Sequence, residues 1–174
     1  RQEAGHWEAD TVVSGQGKSK ACFATLAERK TRFYIAMKMS DRRAETMENA
    51  IVAALSAFPP QLVKTITCDR GTEFANWRRI EERLHCEVYF ADPYCAWQKG
   101  TNENLNGLLR EFYPKGRNLS RVAPATLKRN LALLNARPRK VLYFHSAQEL
   151  WDFELNSCCT WFDNSLKMRV PVFQ

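Results

Sequence analysis

The chain of 174 residues carries 26 Lys and Arg against 19 Asp and Glu, a net charge of +7. That length suffices for one domain with a real core. No apolar run is long enough to span a bilayer, and the polar start lacks the apolar segment of a secretory signal.

In chain order, His6–Val13 (HWEADTVV) reads as a strand followed by a breaker-rich turn over 14–18. A second strand is expected over 21–26, a charged turn over 28–32 and a third strand over 33–39. Links this short between consecutive strands make an antiparallel meander. Ser40 or Asp41 then caps a helix whose apolar face is Met47, Ala50, Ile51, Ala54, Leu55 and Phe58, and Pro59 and Pro60 end it. The short run 63–68 lacks polar alternation, as an interior parallel strand should, and stops at Asp69 before Gly71. A helix over 74–84 and a strand over 87–90 follow.

The segment 93–116 passes through Gly100 into another helix, which Thr101 or Asn102 can cap. Leu105, Leu108, Leu109 and Phe112 form one apolar stripe. Glu103, in the first turn, faces away from that stripe with Asn106, Gly107 and Arg110 beside it. An amphipathic helix with a solvated polar face accounts for this pattern taken alone. Pro114 and Gly116 end the helix. A last helix runs from Pro124 to about Leu134, before a basic, proline-broken loop over 135–140. Helical crossovers imply parallel pairing for the later strands. The expected architecture is an α/β fold: a mixed five-stranded sheet, its first three strands antiparallel, flanked by helices.

The positive charge is concentrated. Between Lys99 and Lys140 there are ten Lys and Arg and two acids, Glu103 and Glu111, which accounts for the chain's whole excess. Such a segment suits a polyanion such as nucleic acid, and a merely solvated basic surface explains it equally well. The six cysteines have no CxxC spacing and the three histidines are scattered, which argues against zinc and for reduced thiols in a cytoplasm. Cys22 and Cys68 read as small buried hydrophobes.

Three carboxylates stand out. Asp10 lies in the first strand, Asp69 at the carboxyl end of the fourth, where open α/β sheets place functional groups, and Glu103 on the first turn of a helix. Converging on one point, they would repel one another and require hard cations. Two Mg²⁺ (or Mn²⁺) ions held this way can activate a hydroxyl nucleophile and stabilise a leaving oxygen in phosphoryl displacement.

The blocks WEAD (7–10), ERKTRF (28–33), DRGTEF (69–74), YFADP (89–93) running on through Gly116, and LNARPRK (134–140) resemble the DDE transposases of the insertion-sequence-thirty family. These sit within the ribonuclease H-like integrases and transposases. The 33 residues separating Asp69 from Glu103 equal that family's spacing between its second and third acids. The resemblance implies a ribonuclease H-like catalytic core over 1–150, with Asp10, Asp69 and Glu103 as catalytic, metal-holding residues. It implies Mg²⁺ or Mn²⁺, two ions, as cofactor, and DNA (element ends and target) as partner. A homo-oligomer in the active complex is expected, with no membrane, in a bacterial cytoplasm and at the nucleoid when DNA-bound. The implied reaction is hydrolysis at the element ends, then attack of the freed 3′-hydroxyl on target DNA. A ribonuclease H-like nuclease without strand transfer and a non-catalytic DNA-binding remnant are the alternatives. Lys99, Asn102, Asn104, Arg110, Lys115, Arg117, Arg137, Arg139 and Lys140 are the candidate DNA contacts.

Among the other acids, Glu8 is read as solvated or ion-paired rather than auxiliary, Glu73 as an orienting or capping acid, and Asp92 as a turn residue. Tyr94 and Trp97 could stack on an unpaired base, with packing inside the loop preferred. Ala96 replaces the Pro that many relatives carry before the Trp. The tail 151–174 matches no known pattern and is assigned no role. The chain begins at Arg1 rather than Met and is read as a fragment or trimmed domain. With nine residues before Asp10, it has no room for the helix-turn-helix segments that family members carry ahead of the core.

Overall fold

The computed structural model describes residues 2–92 and 95–167, the side chains of residues 96–97 and 159–167 excepted. Tyr94, the Trp97 side chain and residues 168–174 thus lie outside the described residues.

Five strands form one sheet: β1 (His6–Val13), β2 (Cys22–Glu28), β3 (Tyr34–Met39), β4 (Thr65–Cys68) and β5 (Glu87–Phe90). Their spatial order is β3-β2-β1-β4-β5. The meander β1–β2–β3 is antiparallel, and β4 and β5 add on in parallel. This is the expected mixed sheet. Alternation along β1 sends Trp7 and Ala9 to one face and Val12 to the other. β2 is buried along its whole length because both faces are covered.

Helices α1 (Ala44–Leu55), α2 (Trp77–Leu84), α3 (Gly100–Phe112), α4 (Pro124–Ala136) and α5 (Ala147–Lys167) supply the cover. α1 and α2 belong to the core on the Trp7 side. α3 and α4 belong to the core on the Val12 side, through Leu105, Leu109, Leu127 and Leu134. The expected Ser40 or Asp41 cap is displaced. α1 begins at Ala44, and the Asp41 carboxylate accepts from the Arg43 amide and the Thr46 hydroxyl just ahead of and inside the first turn. The expected helix over 74–84 divides into a short 3₁₀ turn, Thr72–Phe74, and α2.

One turn and one pair of helices are tied by buried acids. Glu28 is fully buried and accepts from the amides of Gly5, Lys30 and Thr31 and from the Thr31 hydroxyl. The charged turn between β2 and β3 is therefore organised from within. Glu48 of α1, also fully buried, meets Arg79 and Arg83 of α2 at 3.3 and 2.9 Å.

The boundary expected after residue 150 falls inside α5. Trp151 is 1% exposed and belongs to the Trp7 side of the core. It stacks on Phe33 (centroids 5.1 Å apart, planes within 7°) and meets Trp7 and Phe58 edge-on at 5.3 and 5.0 Å. Lys30 Nζ reaches Glu154 at 2.5 Å from the β2–β3 turn. The first part of the unassigned tail is thus structural.

Candidate active site

Strand register brings two of the three carboxylates together. In the parallel β1–β4 pair Glu8 lies opposite Thr67, so Asp10 and Asp69, each two residues further on, come level just where β4 ends. Side chains at matching positions of parallel neighbours emerge on the same face. Between the two carboxylates sits the Lys99 ammonium, 3.0 Å from Asp69 Oδ2 and 3.5 Å from Asp10 Oδ1. Burial pulls the Lys99 pKa down, but the charges of Asp10 and Asp69 outweigh it and hold the group above its ordinary value. Lys99, expected as a DNA contact, is instead the counter-ion of the acid pair.

The Asp69 turn is closely packed around Gly71. Asp69 Oδ1 accepts from the Gly71 amide at 2.9 Å. A Cβ on Gly71 would stand 2.8 Å from that same oxygen and 2.5 Å from Glu73 Oε2, closer than side chains approach. Glu73 is itself buried and accepts from the Thr11 hydroxyl at 3.0 Å and from Arg42 at 2.6 Å, tying β1 to the turn after β4. The orienting role read for it agrees with these bonds.

Asp10 is steered from α3. Asn106 Nδ2 donates to Asp10 Oδ2 at 2.9 Å, while Asn106 Oδ1 accepts from the Tyr34 hydroxyl at 2.6 Å. Burial pushes the Tyr34 phenol far above its ordinary range, so it stays an O–H donor. A donor on one side dictates which end of the amide faces it, and leaves the NH₂ for the carboxylate. The sequence put Asn106 on the Glu103 side of its helix but assigned it no role. The Tyr34 link spans 72 residues and has no local signal.

Glu103 occupies the first turn of α3, exposed, one turn before Asn106. Its carboxylate makes no hydrogen bond or ion pair among the described residues, and these contain no group of three or more His, Cys, Asp and Glu positioned to hold a metal. The chemistry of the donor set nonetheless fits a hard divalent cation. Two carboxylates already converge on one positive charge, and both are partly open to solvent, with Asp10 29% and Asp69 48% exposed. Thiolate ligation has no support. Burial raises the Cys68 thiol to about 12 and those of Cys22 and Cys86 to about 11, the reverse of what a ligand requires.

One further candidate DNA contact, Asn102, is corrected, and another, Arg139, is held by internal bonds while still lining a cleft. Asn102 is fully buried and makes four bonds: its amide to Glu8 Oε2 (2.8 Å), its Nδ2 to the carbonyls of Glu8 (2.8 Å) and Thr25 (3.2 Å), and its Oδ1 from the Thr25 hydroxyl (3.2 Å). It clamps α3 to the sheet and cannot reach DNA. The expected cap at Thr101 or Asn102 fails for the same reason, since α3 starts at Gly100 and turns both side chains inward. Arg139 is half-buried and donates to the carbonyls of Arg32 and Leu134 at 3.0 and 2.9 Å, holding the connector after α4. Glu8 is ion-paired as read, with Arg29 Nε at 3.1 Å though off the hydrogen-bond line, and it is buried rather than solvated.

The remaining candidates lie outward or along the rim. Asn104, Lys115, Arg117, Arg137 and Lys140 are exposed. Arg137 faces Glu111 at 3.5 Å, and Arg117 lies over the Tyr113 ring. Arg110 reaches back to the Val13 carbonyl at 3.1 Å. Asp92 closes the loop before α3 through a reciprocal pair with Gln98, a turn role as read.

Comparison with known proteins places this geometry in a family. The family described as "Integrase core domain" matches residues 1–96. A probable transposase for the insertion-like sequence element IS1161 of Streptococcus salivarius is 37% identical over 152 residues, 87% of this chain and 43% of that protein. Transposase InsI of insertion sequence element IS30A from Escherichia coli K12 is 37% identical over 150 residues, 86% of this chain and 38% of its own length. The resemblance to insertion-sequence-thirty transposases is borne out, and the chain spans about two-fifths of the length of these relatives. Among solved structures, the catalytic core domain of BIV integrase superposes with a TM-score of 0.65 at 17% identity, over 91% of this chain and 99% of that one. The HTLV-2 integrase catalytic core, solved with magnesium, gives 0.63 at 14%, over 84% and 95%. These likenesses carry the ribonuclease H-like fold. With that fold, and a family match covering more than half its length, the chain belongs to the integrase core domain family.

Proposed function

We propose that the chain is the catalytic core of a DNA transposase that hydrolyses a phosphodiester at an element end and joins the freed 3′-hydroxyl to target DNA. The observation carrying this reading is the pairing of Asp10 and Asp69 at the ends of adjacent parallel strands around a single positive charge. That is the donor arrangement a divalent-metal phosphoryl-transfer site needs.

Asp10 and Asp69 would hold Mg²⁺ or Mn²⁺, and Glu103, its carboxylate without a partner among the described residues, would supply the third carboxylate from the first turn of α3. Such ions, when held there, would supply a lowered pKa for the attacking hydroxyl and neutralisation of charge on the phosphate. Asn106 and Tyr34 keep the Asp10 carboxylate turned toward the site, and the Gly71 amide does the same for Asp69. In the first step a water oxygen bonds to phosphorus as the P–O3′ bond breaks, and the 3′-oxygen leaves as a hydroxyl. In the second, that hydroxyl attacks a target phosphodiester, one P–O bond forming as another breaks, so no external energy source is required. Lys115, Arg117, Arg137 and Lys140 present exposed charge to the phosphate backbone. The active form would be a homo-oligomer on DNA, in a bacterial cytoplasm. Among the described residues no helix is long and apolar enough to cross a membrane.

The test is a strand-transfer assay on labelled, pre-cut ends with Mg²⁺ or Mn²⁺. Transferred product, lost in Glu103→Gln while DNA binding persists, is expected. Cleavage without transfer would favour a nuclease on the same fold. Normal turnover by a folded Glu103→Gln protein would remove Glu103 from the site.

A further inference from the structure

Beside the first turn of α3 lies a cleft of about 450 Å³ whose walls include Arg32, Gly100, Thr101, Asn104, Arg139 and Val141. Among the described residues no carboxylate lines it. Two guanidinium groups come from different ends of the chain, one from the β2–β3 turn and one from the connector over 137–146. The amide end of a 13-residue helix adds its positive pole. The Arg139 charge is disfavoured first by its own burial and then by Arg32 and Arg137, so an anion here would relieve repulsion already present. Thr101 and Asn104 bracket Glu103 in the same helical turn, which puts the cleft next to the proposed catalytic acid.

The connector that forms the other wall ends in a peculiar turn. Tyr143 and Phe144 both have left-handed backbones, at φ 52° and 67°. Two consecutive aromatic residues in that region are strained, and glycine would take it without cost. The turn is held tightly: the amides of Tyr143 and Phe144 donate to the carbonyls of Lys140 and Arg139, and Leu142 is buried beneath. Yet the rings this strained turn carries are 89% and 72% exposed, with Val141 at 63% beside them. Folding alone would favour glycine and polar side chains at these positions. Exposed Arg137 and Lys140 precede the rings in the same connector. Exposed aromatic rings close to basic groups are what a single nucleic-acid strand recognises, through base stacking and phosphate charge.

We propose that the cleft and the turn over 141–144 form a seat for one strand of DNA, with a phosphate between Arg32 and Arg139 and an unpaired base stacked on Tyr143 and Phe144. The seat deepens the transposase reading and rests on it for the identity of the polymer. It gives the protein a preference for ends or targets in which a base has left the duplex.

The test needs neither metal nor turnover. Two duplexes are compared in EDTA, one fully paired and one with an unpaired 2-aminopurine overhang at its end. The wild-type chain should bind the overhang duplex more tightly and change its fluorescence. The double substitution Tyr143→Gly, Phe144→Gly keeps the turn, since glycine suits both backbones, and its melting temperature should equal or exceed that of wild type. It should lose at least about fivefold in affinity for the overhang duplex, and the fluorescence change, with paired DNA bound as before. Asn104→Asp, which places a negative charge in the cleft, should weaken binding of both duplexes. Equal binding of the overhang by wild type and the glycine variant would overturn the proposal. So would loss of self-association in that variant with DNA binding unchanged, which would make the patch a contact between copies. Wild-type binding to both duplexes without discrimination refutes the seat alone, whereas no binding to any DNA refutes the transposase reading with it.

Discussion

Asn106 Nδ2 donates to Asp10 Oδ2 at 2.9 Å, so the helix that carries Glu103 also aims the strand-borne acid. Partners of a metal-binding carboxylate typically contribute tenfold to hundredfold to activity or metal affinity. Asn106→Ala is expected to lower the strand-transfer rate by about that factor, on the order of 10 to 100, with DNA affinity little changed. Tyr34→Phe, which frees the amide to flip, should show a smaller loss of the same kind. Steady-state kinetics beside a DNA-binding titration checks both. Wild-type rates in Asn106→Ala would remove the amide from the site.

Lys99 competes with any cation for Asp10 and Asp69. Lys99→Met keeps the length of the stem and deletes the charge, so a metal no longer has to displace two ion pairs. Affinity for Mn²⁺ in the DNA-free chain should rise by about tenfold, corresponding to roughly 1.4 kcal/mol. Isothermal titration of metal into both proteins reads this directly. Unchanged or weaker affinity would show that the ammonium and the metal do not share a position.

Asn102 is expected to matter for folding rather than for DNA. Asn102→Ala leaves the carbonyls of Glu8 and Thr25 short of a side-chain donor in a buried place, at about 1–3 kcal/mol for such groups. A urea melt should show that loss. The folded variant should bind DNA as wild type does. A selective defect in DNA binding at unchanged stability would restore Asn102 to the interface.

Trp151 should anchor α5 to the core. Trp151→Ala removes an aromatic group packed against Trp7, Phe33 and Phe58 and is expected to cost about 3–5 kcal/mol. Trp151→Phe should cost clearly less, because the buried Trp151 Nε1 has no hydrogen-bond partner to lose. Thermal melts of the two variants settle the order. Equal stability of Trp151→Ala and wild type would mean that the core is complete by residue 150.

Much of this protein was legible before any coordinate. β1 and β5 lie where periodicity and breakers put them, and the meander followed from its short turns. These are local signals, carried by residues a few positions apart. Asp69 at a strand end and Glu103 on a helix's first turn were legible for the same reason, and the family blocks named them as a set.

What only the tertiary structure decided is which polar groups face inward. The apolar stripe of α3 predicted a face of Leu105, Leu108, Leu109 and Phe112. The buried face is Thr101, Asn102, Leu105 and Leu109, with Leu108 and Phe112 only partly covered. Its first turn lies on Glu8 and Thr25 of the sheet, and a polar partner leaves no trace in hydrophobic periodicity. The internal partners of Lys99 and Arg139 went unread because a cation's partner can lie anywhere in the chain. Asp69 precedes Lys99 by 30 residues, and the Arg32 carbonyl precedes Arg139 by 107. Sequence specifies which charges exist. Strand register and helix packing specify which of them meet, because a charge in a folded chain is satisfied by proximity in space and not along the backbone.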